Sequence, residues 1–197
     1  MKINTDSLTL KFDAIGGLTD EELLKFSSEN DHIVVERDSE GNIIIMSPAS
    51  SESSRLNARL VHLVMNWNDK FKKGEVYESS GGFVLPDTAL RAPDVSFLLH
   101  ETLNKLKPDA KEGFYKVCPD FVIELKSKSD RLTELQKKMQ EYIKNGSSLG
   151  WLIDTFEKKV YAYDKDGSVT THADFSKPLK GKYFMSDFEL LPEDILK

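Results

Sequence analysis

The chain has 197 residues, 39% hydrophobic and 30% charged, with a formal net charge of −6. That is the composition of a globular chain with a buried core, and its acidity argues against indiscriminate binding to polyanions. No apolar run approaches the roughly 18 residues needed to span a bilayer, and one cysteine, Cys118, excludes an internal disulfide or a thiolate zinc cage. The first residues, Met1 to Asp6, lack the basic-then-apolar pattern of a secretory signal, so a soluble, cytoplasmic protein is expected.

In chain order, Leu8 to Phe12 alternates as an edge strand. Thr19-Asp20-Glu21-Glu22 is a capping box that opens a short helix running to about Ser28. Ile33 to Glu36 and Asn42 to Met46 flank Asp38-Ser39-Glu40-Gly41 and predict a β-hairpin. A long helix follows from about Ser51 to Lys72, with Leu56, Leu60, Leu63, Val64, Trp67 and Phe71 on one stripe. Glu75 to Glu78 and Phe83 to Leu85 read as strands joined through Ser79-Ser80-Gly81-Gly82. Then come a strand at Asp94, an irregular polar stretch from Glu101 to Lys116, and a strand at Glu124. A second helix from about Leu132 to Lys144 stops before Asn145-Gly146. Gly150 to Asp154 is a buried strand by composition. Lys159 to Tyr163 and Ser168 to Thr171 form a second hairpin, and the tail is short and mixed. The order predicts one α/β domain with a mixed sheet and helices on its faces.

The candidate chemistry lies on the run Phe121-Val122-Ile123-Glu124-Leu125-Lys126. Side chains alternate along a strand, so Phe121, Ile123 and Leu125 face one way while Glu124 and Lys126 face the other. A carboxylate and an ammonium on a core-type strand are costly to bury without a partner or a purpose. A second acid opens the strand Pro93-Asp94-Val95-Ser96-Phe97-Leu98. Magnesium takes carboxylate oxygens and keeps several waters, and Asp94 and Glu124 on adjacent strands would supply them, with the Leu125 carbonyl adding a ligand. Lys126 would orient the attacking water or stabilise the charge that develops in phosphodiester hydrolysis.

The pattern Pro93-Asp94, then Glu124-Leu125-Lys126, resembles the PD-(D/E)xK nuclease motif. Its context is Met46-Ser47-Pro48-Ala49-Ser50-Ser51-Glu52, then Ser127, Asp130-Arg131, Lys138 and Tyr142, and Asn145-Gly146 before Gly150-Trp151-Leu152-Ile153-Asp154. Over roughly Leu18 to Tyr163 the chain looks like the restriction endonuclease family called Uma-two. The resemblance implies an α/β, restriction endonuclease-like fold: a mixed sheet flanked by helices, with additional N- and C-terminal hairpins, as one domain over residues 1–197. It implies a nuclease that uses Mg2+ or Mn2+ and cuts DNA, with Asp94 and Glu124 as metal carboxylates, Lys126 as catalytic lysine and Glu52 as a supporting acid. It also implies a homodimer, since two sites must meet two antiparallel strands.

Each of these residues has a plainer reading. Glu52 in a first helical turn is also what the helix dipole favours. Lys138 and Tyr142, four apart on one helix face, suit contact with substrate phosphate, or a surface lysine beside a packed tyrosine. From Lys126 to Lys144 six basic residues stand against three acids, which suits a phosphate-facing helix or a solvated face with ion pairs. The whole pattern would also fit a non-catalytic binding module on the same fold, or a structural ion pair between the acids and Lys126. His32, His62, His100 and His172 have no ligand spacing. Asp154 reads as a cap and Cys118 as structural.

Overall fold

The computed structural model describes residues 7–12, 16–30, 33–106 and 113–197. The chain runs β1 (Ser7–Leu10), α1 (Asp20–Glu29), β2 (Val34–Arg37), β3 (Ile43–Met46), α2 (Ser51–Phe71), β4 (Gly74–Glu78), β5 (Phe83–Val84), β6 (Leu90–Arg91), β7 (Val95–Leu99) and α3 (His100–Leu103). It continues β8 (Phe121–Leu125), α4 (Leu132–Lys144), β9 (Leu149–Asp154), β10 (Lys159–Asp164), β11 (Val169–His172), β12 (Leu179–Lys180), β13 (Glu189–Leu190) and α5 (Glu193–Leu196).

A six-stranded sheet in the order β11-β10-β9-β8-β7-β4 is the centre of the molecule. β8 and β9 are parallel, joined by the α4 crossover, and the other pairs are antiparallel. The predicted alternation on β8 holds. Phe121, Ile123 and Leu125 join Leu56, Leu60, Val64 and Trp67 of α2 in one core. Val122 joins Leu152 with Met139 and Tyr142 of α4 in another, on the opposite face. Gly150 lets α4 sit close: a Cβ there would lie 2.5 Å from Met139 Cε and 3.3 Å from Val122 Cγ2. Cys118 is buried behind α4, its Sγ donating to the Tyr142 carbonyl at 3.4 Å and lying 3.3 Å from Ser147 Oγ. Burial pushes its thiol up to about 12.

A second sheet, β1-β3-β2-β6-β5, contains the predicted β2–β3 hairpin. The capping box of α1 forms, with Thr19 Oγ1 accepting from the Glu22 amide at 3.2 Å and the Glu22 carboxylate accepting from the Thr19 amide at 2.8 Å. Three details differ from the sequence expectation. β4 and β5 lie in different sheets, because the short β6 captures β5. Phe71 is 43% exposed, off the α2 stripe, and the helix ends there with Lys72 at φ 49. The polar stretch after Glu101 begins with the single turn of α3, and its residues 107–112, like His32, lie outside the described ones. The tail also contributes more than its composition suggested: Phe188, Leu190 and Ile195 pack into the α2 core. Among the described residues no helix is long and apolar enough to cross a membrane.

Candidate active site

Asp94 immediately precedes β7 and Glu124 lies near the end of β8. The antiparallel register Val95↔Ile123 brings the start of one strand beside the end of the other. Asp94 Oδ2 accepts from the Leu125 amide at 2.7 Å, so its carboxylate continues the ladder just before β7 begins. Pro93 fits this turn, because it carries no amide hydrogen that would need a partner. The two acids therefore share one end of the sheet, at the carboxyl end of the parallel pair β8 and β9.

Glu124 is buried, and two groups from α4 meet the same oxygen. Tyr142 Oη donates to Glu124 Oε1 at 2.9 Å, and Lys138 Nζ lies 2.8 Å from it. The i, i+4 spacing puts both on one face of α4, with Met139 and Tyr142 anchoring the helix in the core. Lys138 Nζ is also 2.8 Å from Oε1 of Glu36, a buried acid on β2. Glu36 in turn accepts from the Ala92 amide at 3.0 Å and from Arg91 Nη1 at 3.0 Å. Arg91 reaches on to Glu141 of α4, 2.5 Å through Nε and 3.1 Å through Nη2. The result is a chain of charges from β2 through β6 and α4 to β8.

Four acids in this cluster (Glu36, Asp94, Glu124 and Glu141) face two cations, Arg91 and Lys138. Burial pushes Glu124 up to about 7 against the pull of Lys138, and the neighbouring Asp94 adds to the rise. Burial likewise pushes Asp94 up to about 6, opposed by the Leu125 amide and Lys138. For Glu36, burial is outweighed by Lys138 and Arg91, which hold its carboxyl below the usual value. The same acids raise the Lys138 ammonium against its own desolvation. Half-buried Asp94 and buried Glu124 make a carboxylate pair short of positive charge, the oxygen donor type that a hard divalent cation takes. The bonds described engage one oxygen of each, Asp94 Oδ2 and Glu124 Oε1, and not the other.

The other residues proposed from sequence are distributed unevenly around this centre. Lys126 shares the Glu124 end of β8, but its Nζ turns away from the acids. It donates to the Ser127 carbonyl at 3.1 Å, lies 3.9 Å from Asp154 Oδ2, and sits 5.3 Å from the Phe156 ring centre. The ion pair imagined between Glu124 and Lys126 is made by Lys138 instead. Leu125 gives its amide to Asp94. Glu52 does not join the pair: its side chain is 66% exposed and bonds Arg55 one turn along α2. Among the described residues no three of His, Cys, Asp and Glu form a metal-holding group. Lys138 is only 13% exposed, so the reading of it as a surface lysine fails, while Tyr142 is packed as expected. Asp154 is a cap, its Oδ1 accepting from the Phe156 and Glu157 amides, each at 3.0 Å. A cleft of about 600 Å3 lies elsewhere, where Arg37 and Lys116 at its wall are both paired with Asp20.

Glu36 and Arg91 were not singled out from the sequence. Each is a charge beside apolar residues in a short strand, Glu36 after Val34-Val35 and Arg91 after Leu90, a weaker form of the signal that marks Glu124. Their partners lie 55 residues apart in the chain.

A mixed sheet with a carboxylate pair at its open end, backed by a charged helix, is the arrangement of a restriction endonuclease-like protein. The model of the Uma2 family, described as "putative restriction endonuclease", matches residues 20–190, and the chain belongs to that family. Among solved structures, the chain is similar to a "putative nuclease belonging to DUF820" from Anabaena variabilis ATCC 29413. The TM-score is 0.74 at 20% sequence identity, with 90% of this chain and 97% of that chain covered. No curated protein matches the chain.

Proposed function

We propose that the protein is a divalent-metal-dependent endonuclease that hydrolyses phosphodiester bonds in DNA, with Asp94 and Glu124 as its metal carboxylates. The observation that carries this reading is the meeting of the half-buried Asp94 and the buried Glu124 at one end of the sheet, where positive charge falls short of negative. Membership of a family of restriction endonucleases supports the reaction class.

Asp94 and Glu124 would hold a divalent ion, which would supply Lewis-acid stabilisation of the phosphoryl oxygens and a more acidic water. Lys138 and Tyr142 orient Glu124 by fixing Oε1, and the Leu125 amide orients Asp94 in the same way. Hydrolysis adds water to phosphorus, breaks the bond to one sugar oxygen and returns a proton to that oxygen. Lys126 would meet the phosphate and offset the charge that grows on it once its ammonium leaves the Ser127 carbonyl for the side of the acids. The Leu125 carbonyl belongs to the same set of candidate ligands. A cut through both strands of a duplex requires two sites, so a homodimer belongs to this reading.

The test is plasmid nicking with MgCl2 or MnCl2. Wild type should convert supercoiled to open-circular plasmid, Glu124→Gln and Asp94→Asn should lose at least 100-fold on the scale of removed catalytic groups, and EDTA should stop the reaction. Equal nicking by all three proteins would sink the assignment.

A further inference from the structure

The turn between β9 and β10 carries Phe156, at 58% the most exposed large apolar side chain among the described residues. An exposed aromatic ring on a hairpin tip costs free energy that a polar residue would not. Its location bears on its use. β8 and β9 are parallel neighbours, so the segments leaving them emerge at the same end of the sheet as Asp94 and Glu124. Lys126, two residues beyond Glu124 and so about 7 Å along the strand, places its ammonium 5.3 Å from the Phe156 ring centre. The ring thus stands at the acids' end of the sheet, against the Lys126 side chain.

The tip is also held in shape. Asp154 Oδ1 accepts the amides of Phe156 and Glu157, and Lys158 closes the turn at φ 51. Exposed Lys128 leaves the same end of the sheet on the loop after β8, and exposed Lys158 follows Phe156. The one exposed acid of the tip, Glu157, is answered by Lys159 at 3.8 Å. A rigid ring edged by lysines suits a nucleic-acid base, whose π-face stacks while the lysines meet its phosphates.

We infer that Phe156 is a base-stacking platform, and that the preferred substrate is a strand with unstacked bases beside the scissile phosphate: single-stranded DNA, or a duplex opened by a mismatch or bubble. Within a matched duplex every base is already stacked, so the ring gains nothing there. This rests on the reading of the site as one for nucleic acid.

The experiment is fluorescence anisotropy in EDTA with three fluorescein-labelled 20-mers: single strand, matched duplex, and duplex with a central bubble. They are titrated with wild type, Phe156→Ala and Phe156→Tyr, alongside the Mg2+ cleavage assay on the same oligonucleotides. Stacking of one base predicts a loss of affinity of about 5- to 150-fold for single strand and bubble in Phe156→Ala, no change on the duplex, and retention in Phe156→Tyr. Unchanged affinity, an equal loss on all three probes, or absence of binding would overturn the inference. So would light scattering that shows Phe156→Ala breaking up an oligomer, since the ring would then belong to a contact between copies. Selective binding without cleavage would keep the platform and remove the nuclease. Cleavage indifferent to Phe156 would do the reverse.

Discussion

Asp94 and Glu124 hold their protons more tightly folded than unfolded. Their carboxyls sit at about 6 and about 7, against ordinary values near 4. A raised acid contributes stability that is fully present below its unfolded value and lost as pH rises through the folded one. Between pH 4 and pH 7 these two groups therefore erode stability as they ionise. Glutamine at 124 mimics the protonated acid, so Glu124→Gln should melt close to wild type at pH 5 and gain on it by on the order of 5 °C at pH 8. MnCl2 at pH 8 should restore the wild type and leave the variant unmoved. Parallel melting curves across the range would show that the ionised pair is already compensated. At this scale the sequence was informative about Asp94 and Glu124, because an acid on an apolar strand stands out wherever it falls. It did not show that Glu52 bonds Arg55 three residues on, or that Lys126, close to Glu124 in sequence, has Asp154 and Phe156 as neighbours in space.

α4 is the element that gives those carboxylates their partners. Its apolar side, Met139 and Tyr142, presses on β8 and β9, while Lys138 and Glu141 are carried to the charged end of the sheet. The closeness of that contact depends on Gly150, where any Cβ would meet Met139 and Val122. Gly150→Val should force α4 outward, costing about 1–3 kcal/mol. Because Lys138 and Tyr142 move with the helix, the turnover rate should fall further than stability alone explains, measured as kcat at a temperature where both proteins are folded. Wild-type turnover in a destabilised variant would show that α4 need not be held so closely. The amphipathic spacing of α4 was readable, and so was its end at Asn145-Gly146. The depth of Lys138 was not, because a lysine on a helix face looks the same whether it meets water or two acids brought from elsewhere.

At the scale of the molecule, one charge network joins the two large sheets. Glu36 and Arg91 belong to the five-stranded sheet, Glu124 to the six-stranded one, and Lys138 and Glu141 bridge them from α4. Removing one partner of a buried pair leaves the other charge uncompensated, so Arg91→Met and Lys138→Met should each cost about 3–5 kcal/mol in urea unfolding. Both act on Glu36, so the double variant should lose clearly less than the sum. Strict additivity would separate the two sheets energetically. The hairpins, the mixed sheet and the helix order could be read from local patterns. The joining of the sheets could not, since it rests on contacts such as Lys138 to both Glu36 and Glu124 that no local pattern encodes.

Cys118 gains a use from its position behind α4. Thiol reagents attack the thiolate, and burial keeps this sulfur protonated and out of reach. It is the chain's single cysteine, so alkylation can proceed only when the packing around it opens. The same segment carries Tyr142, whose carbonyl the thiol touches and whose hydroxyl holds Glu124. The labelling rate is thus a clock for how often the support of the carboxylates comes loose, readable without adding any probe to the molecule.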